Sequence, residues 1–255
     1  MQKYLTYEHP LNERVRTILR MEFLFRQIKH FMAGKTVWDS RAVLSALMDI
    51  LTLFSRNDLK TELIKELERH AANLARLTEK SGVDHTQLKN ILHWLDKLRK
   101  TLHNMDGQLA QALRDDEFLA AIRQRSSIPG GTCDFDLPLY HQWLHLPQEQ
   151  RHADLERWQA SIDIVRQAVE LILKLIRNSA EPVTLTATAG AYQHTLDSAI
   201  PYQLIRIGIA MELPCYAEIS GGKHRFTVRF MQPMAKARPQ QVGEDVEFRL
   251  TVCAL

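Results

Sequence analysis

Apolar residues recur every three or four positions from residue 11 to about residue 179, and every second position from residue 183 onward. The first spacing is that of helices with one buried face, the second that of strands with one buried face. In the first half, Ile18, Met21, Phe25, Ile28 and Met32 form one stripe, with Arg16, Arg20 and Arg26 opposite. Ser40 offers an N-cap for a second helix carrying Val43, Leu47, Ile50 and Phe54, and the chain breaks at residues 55–58. Leu63, Leu67, His70, Leu74 and Leu77 then repeat in fours and threes. After Ser81 and Gly82, so do Leu88, Ile91, Leu95, Leu98 and Leu102, which predicts an antiparallel helical hairpin. Residues 109–125 predict a further helix, stopped by Ser-Ile-Pro-Gly-Gly. Leu155, Trp158, Ile162, Val165, Val169, Ile172 and Ile176 keep phase as one long helix, widened by Leu171, Leu173 and Leu175. So broad an apolar surface belongs at the centre of a bundle or at a subunit interface.

After Glu181 and Pro182 the alternation begins: Val183, Leu185 and Ala187, then Ile205, Ile207, Ile209 and Met211. Phe226, Val228 and Phe230 follow, and Val246, Phe248, Leu250 and Val252 close the chain. Gly221 and Gly222 suit the turn of a hairpin. Leu5 and Tyr7 alternate as well, so residues 4–8 offer one more strand. The expectation is an α+β chain, with a multi-helix domain over residues 1–180 and a smaller antiparallel β domain over residues 181–255.

Composition narrows the field. The chain has 255 residues, 33 Lys and Arg against 30 Asp and Glu, a net charge of +3, 10 glycines and 3 cysteines. Glycine is scarce against its usual share of about 7%, which disfavours phosphate-cradling loops. A near-neutral sum is unlike the strongly basic domains that coat nucleic acid. Cys133, Cys215 and Cys253 show no CxxC spacing and fit a reduced, cytoplasmic compartment. The opening MQKYLTYEHP has no apolar core of a signal peptide, and residues 169–176 are too short and too charged to cross a bilayer, which takes roughly 18 apolar residues. A soluble protein with no membrane association is expected.

Catalytic candidates are thin. His141 and His145 are four apart, as in helical zinc proteases, but Gln142 stands where the general-base Glu belongs, and His152 is a loosely spaced third ligand. A metal-dependent hydrolase built on them is the weaker reading beside two ordinary histidines. Pro129, Gly130, Gly131 and Thr132 match no phosphate-loop pattern and read as a helix stop. Cys133 has only His141 nearby in sequence to activate it, and an inert thiol is the simpler reading. His70 on the hairpin seam reads as a packed histidine rather than a ligand. No enzyme, metal or cofactor is expected.

Charge distribution says more than the sum. Between Glu218 and Glu244 lie Lys223, Arg225, Arg229, Lys236 and Arg238, with His224, and no acidic residue. Arg225 and Arg229, four apart on a strand, project from one face roughly 13 Å apart, while Phe226, Val228 and Phe230 anchor the other. Two guanidinium groups on a rigid sheet suit carboxylates or phosphates. The run serves equally well as the solvated face of an amphipathic hairpin. Nucleic acid is the rival partner for the same residues, although no aromatic residues interleave as on an RNA-recognition sheet.

Four stretches carry a resemblance: YEHPLNERVRTILRMEFL (residues 7–24), TELIKELER (residues 61–69), RQRSSIPGGTCDFDLPLYHQWLHLP (residues 123–147) and SGGKHRFTVRFM (residues 220–231). Together, in this order and over nearly the whole chain, they resemble the ZapD family of Z-ring-associated bacterial cell-division proteins. The resemblance implies a cytoplasmic, non-enzymatic homodimer located at the mid-cell division ring. Such a dimer binds the C-terminal tail of FtsZ, the tubulin-like division GTPase, and cross-links its filaments into bundles. It further implies a basic tail-binding pocket between the two domains, near the dimer interface. Arg56, Arg225 and Arg229 match the family's pocket arginines, Lys223 lies beside them, and Arg20 and His141 fall where interdomain or dimer contacts are supported.

Overall fold

A computed structural model describes residues 3–55, 58–78, 82–235 and 237–255. The chain divides into two compact units, one of residues 18–172 and one of residues 1–17 with 173–255. The first and last long helices pass from one unit into the other.

The helical unit is built from α1 (Glu13–Met32), α2 (Val37–Phe54), α3 (Leu59–Ala75), α4 (His85–Asn104), α5 (Gln111–Arg114), α6 (Glu117–Ser126), α7 (Pro138–Leu144), α8 (Gln148–Ala160) and α9 (Asp163–Arg177). Asn12 starts α1, its side-chain oxygen accepting from the Val15 backbone N–H at 2.9 Å. The start of α2 differs from the sequence expectation: Thr36, not Ser40, is the cap. Thr36 Oγ1 accepts from the Asp39 N–H (3.1 Å) while Asp39 Oδ2 accepts from the Thr36 N–H (2.8 Å), a reciprocal capping box. Ser40 lies one turn inside, buried, and takes a hydrogen bond from Arg151 Nε at 3.2 Å. Arg151, itself buried, also donates to the carbonyls of Lys35 and Leu144, tying the entry of α2 to the end of α7.

The hairpin of α3 and α4 packs Leu63, Leu67 and Leu74 against Leu88, Leu95, Leu98 and Leu102, all buried. His70 is buried on that seam, with Nε2 3.4 Å from Glu66 Oε1, so it is part of the packing. Two helices predicted as continuous are broken. Within residues 109–125, Asp116 caps α6 by accepting from the Leu119 N–H (3.0 Å), and its other oxygen accepts from Trp158 Nε1 (3.0 Å). Between α8 and α9 the chain turns at Ser161, whose hydroxyl donates to the Trp158 carbonyl at 2.7 Å. The apolar phase runs through that turn, with Trp158, Ile162 and Val165 all buried. The remaining large apolar side chains of α9 are buried or, for Ile164, Leu171 and Leu175, half-buried, so α9 presents no open apolar face among the described residues.

Among the described residues the β unit has eight strands: β1 (Tyr4–Pro10), β2 (Val183–Ala187), β3 (Ala191–Thr195), β4 (Tyr202–Ala210), β5 (Tyr216–Gly221), β6 (Arg225–Gln232), β7 (Gln240–Gln241) and β8 (Val246–Ala254). All described pairings are antiparallel. One sheet runs β1-β4-β8-β2 and the other β3-β6-β5, with β7 on β6. They share one core, in which Ile205, Ile207, Ile209, Phe248 and Leu250 of the first sheet meet Phe226, Val228 and Phe230 of the second. The N-terminal strand completes the first sheet, with Leu5 opposite Ile209 and Tyr7 opposite Ile207. On that sheet's other face, Glu8 accepts from Arg177 (2.8 and 2.7 Å) and from Arg206 Nε (3.0 Å). Burial pushes the Glu8 carboxyl up, but the Arg177 hydrogen bond and the two guanidinium charges outweigh it and hold the carboxyl below its ordinary range. Among the described residues, no helix is long and apolar enough to cross a membrane.

Candidate functional site

Phe226, Val228 and Phe230 are fully buried, and this fixes the register of β6: its odd-numbered side chains must point outward. Arg225, Thr227 and Arg229 therefore stand on the outer face of the three-stranded sheet. Cross-strand pairing sets Thr195, Gln193 and Ala191 of β3 beside them, and Ser220 and Glu218 of β5 on the other side. Lys223 is exposed in the tight turn joining β5 to β6, where the Gly222 N–H donates to the Arg225 carbonyl at 3.0 Å. The face thus carries Arg225 at its turn end, hydroxyls and an amide along its middle, and Arg229 with Glu218 at the far end.

Pairing also brings in an acid that the linear reading placed outside the basic run. Glu218 sits directly opposite Arg229, and its Oε2 accepts from Arg229 Nη2 at 3.0 Å. Both side chains are about half exposed, at 56% for Arg229 and 44% for Glu218. Such a pair is worth ~0–1 kcal/mol and exchanges readily for another carboxylate. Arg225 has no ion-pair or hydrogen-bond partner for its guanidinium among the described residues, so it is open to an anion. The strand β3, which supplies Gln193 and Thr195, was not visible in the sequence pattern because Tyr192 and His194 are its only inward residues.

The other expected residues fall elsewhere. Arg56 lies outside the described residues. Arg20 is exposed on α1 and His141 is exposed on α7, both in the helical unit, whereas Lys223, Arg225 and Arg229 belong to the β unit. The His141 and His145 rings are 4.5 Å apart between centroids, but His145 Nδ1 is engaged by the His141 carbonyl at 2.8 Å. His152 turns instead to the Met32 carbonyl (3.2 Å) and to Glu156 (3.4 Å). Among the described residues, no group of three or more His, Cys, Asp and Glu side chains is placed to hold a metal ion. Cys133 donates its thiol hydrogen to Asp136 (3.3 Å), and burial pushes the Cys253 thiol up to about 11, so it stays protonated at neutral pH.

The relatives of a chain with this α+β architecture and arginine-bearing sheet face are proteins of cell division. A family model described as ZapD, a cell division protein, matches residues 19–229. The chain is 43% identical to a cell division protein ZapD of Methylococcus capsulatus over 255 residues, covering all of both chains. It is 37% identical to one from Aromatoleum aromaticum over 254 residues, covering 100% of this chain and 99% of the other. It is 38% identical to one from Nitrosomonas eutropha over 251 residues, covering 98% and 100%. The chain belongs to the ZapD family, and its role lies in cell division.

Proposed function

We propose that this protein is a non-enzymatic cross-linker of FtsZ filaments. It acts in the cytoplasm at the mid-cell ring as a homodimer whose β-unit face binds the FtsZ C-terminal tail. The observation that carries this reading is Arg225, held rigidly on the outer sheet face with no partner among the described residues. Arg229 contributes by exchanging Glu218 for a tail carboxylate, and Lys223 adds charge from the turn. The family resemblance adds Arg56 to the tail contacts, with Arg20 and His141 in support.

The energetics favour a dimer. A few exposed charge pairs at ~0–1 kcal/mol each, plus one buried apolar tail residue at ~1.5–3 kcal/mol, leave little after the tail is ordered. Two such sites facing a multivalent filament gain ~10²- to 10⁴-fold in avidity.

The test is co-sedimentation with FtsZ filaments, with and without the FtsZ C-terminal tail. The Arg225→Ala, Arg229→Ala double variant is expected to lose binding while its circular dichroism spectrum and mass in solution stay unchanged, and wild-type binding is expected to weaken with added salt. Undiminished bundling by the double variant, or by tailless filaments, would overturn the reading. Tight binding to DNA or RNA at physiological salt, with none to FtsZ, would assign the same face to nucleic acid.

A further inference from the structure

The β unit holds a cavity of about 720 Å³ where the turn from β4 to β5 meets the loop that leads into β8. Its size is that of a ligand pocket, for which roughly 300–1,000 Å³ is usual. Tyr4, Leu213, Pro214, Val242 and Val246 give it apolar walls. Cys215 adds a half-buried thiol that burial pushes up, so this wall is neutral as well. Apolar surface continues beyond the cavity. Met211, between the lining residues Ala210 and Glu212, is 63% exposed, and Leu213 is 39% exposed.

The charge at this cavity has one sign. Glu212 lines it from the turn, and Glu244, Asp245 and Glu247 line it from the entry of β8. Asp245 accepts from the Ala189 N–H at 3.0 Å, whereas Glu212, Glu244 and Glu247 have no ion-pair or side-chain hydrogen-bond partner among the described residues. No described Lys or Arg lines the cavity. Arg249, two residues past Glu247, is turned to the Tyr4 ring, 3.9 Å from its centroid, and pairs with none of the four acids. Carboxylates gathered without a counter-charge repel one another, and a cation arriving from outside relieves that repulsion. The chain as a whole carries +3, so the cavity reverses the sign of its surroundings. A lone amine would meet the carboxylates and leave Met211 and Leu213 bare. A peptide covers both.

We infer that this cavity docks a peptide segment of a protein partner in which a lysine or arginine stands beside an apolar side chain. The apolar side chain enters between Leu213 and Val242, and the cation meets Glu212 and Glu247. The site is opposite in charge to the face of Arg225 and Arg229 and goes beyond the proposed function.

Fluorescence anisotropy of the full chain with a labelled Gly-Leu-Lys-Leu-Arg-Gly peptide tests it, with Gly-Leu-Glu-Leu-Glu-Gly as the acidic counterpart. The basic peptide is expected to bind saturably and the acidic one not to bind, an order that the net charge of the chain would not produce. The Glu212→Gln, Glu247→Gln double variant alters two exposed side chains and should keep the wild-type circular dichroism spectrum. It should raise the dissociation constant roughly tenfold, each exposed pair being worth up to about fivefold. Leu213→Ser should weaken binding by about tenfold with every carboxylate in place. The Arg225→Ala, Arg229→Ala protein should bind the basic peptide as the wild type does, so failure here and failure of the tail-binding face are read separately. An unchanged dissociation constant in the Glu212→Gln, Glu247→Gln variant would seat the peptide elsewhere and overturn the site. Equal binding of the acidic peptide, or no saturation with the basic one up to about 1 mM, would overturn it too.

Discussion

Arg225 and Arg229 share a face and a residue type, yet the structure separates them by one neighbour. Arg229 must release Glu218 before it meets a tail carboxylate, and Arg225 releases nothing. Glu218→Gln should accordingly tighten binding of a labelled FtsZ tail peptide by up to about fivefold, the size of an exposed ion pair, as read by fluorescence anisotropy. Weaker binding in that variant would mean that Glu218 contacts the tail itself. The linear run from Lys223 to Arg238 looked free of acid because strand register is invisible in sequence: residues 218 and 229 become neighbours only once β5 and β6 pair. Glu8 illustrates the opposite balance. Its carboxylate lies between Arg177 and Arg206, all three side chains less than a third exposed, and removing the charge leaves two guanidiniums facing each other. Glu8→Gln should cost about 2–3 kcal/mol in urea unfolding at pH 7. Because the folded carboxyl sits below its ordinary value of 4.5, the wild-type advantage is complete above that pH and fades as pH falls through the folded value. The gap between wild type and Glu8→Gln should therefore shrink at pH 3, and a constant gap would assign the loss to packing.

At the scale of elements, local backbone geometry decides where strands begin. Gly190 precedes β3 with φ +68°, and a Cβ there would lie 2.3 Å from the Val242 carbonyl oxygen. Its own carbonyl accepts from the Phe230 N–H at 2.8 Å, so the chain cannot easily shift aside. Gly190→Ala should cost at least ~2 kcal/mol, seen as a lowered urea midpoint, and an unchanged midpoint would refute the proposed close approach. Much of this architecture was legible beforehand. The helical hairpin and the final strands follow from periods of 3.6 and 2, which report burial directly; the strand at residues 4–8 alternates in sequence too, although Leu5 is 50% exposed. One failure arises because periodicity does not see punctuation that leaves phase intact. Ser161 ends α8 while Ile162 and Val165 continue the apolar stripe, so two helices looked like one. Ser40 resembled a cap by residue type, but the capping box needs an acid three residues on, which Thr36 has in Asp39. β3 offers only Tyr192 and His194 to the core and is recognised by its partner β6 rather than by its own pattern.

At the scale of the molecule, tail binding and two-site linkage would make separable contributions to the proposed function. Arg225 lies on an outer sheet face in the unit that includes residues 173–255, and a change there should alter the affinity of a single site. Arg225→Ala is thus expected to weaken binding of an isolated FtsZ tail peptide, measured by anisotropy, while the mass of the protein in solution stays that of the wild type. On filaments the loss should be larger, because linkage of two sites adds ~10²- to 10⁴-fold only while each site still holds its tail. The protein concentration needed for co-sedimentation should therefore rise by a greater factor than the peptide dissociation constant. A loss on filaments no greater than the loss on the peptide would mean that the two sites are not linked, and that bundles form in another way.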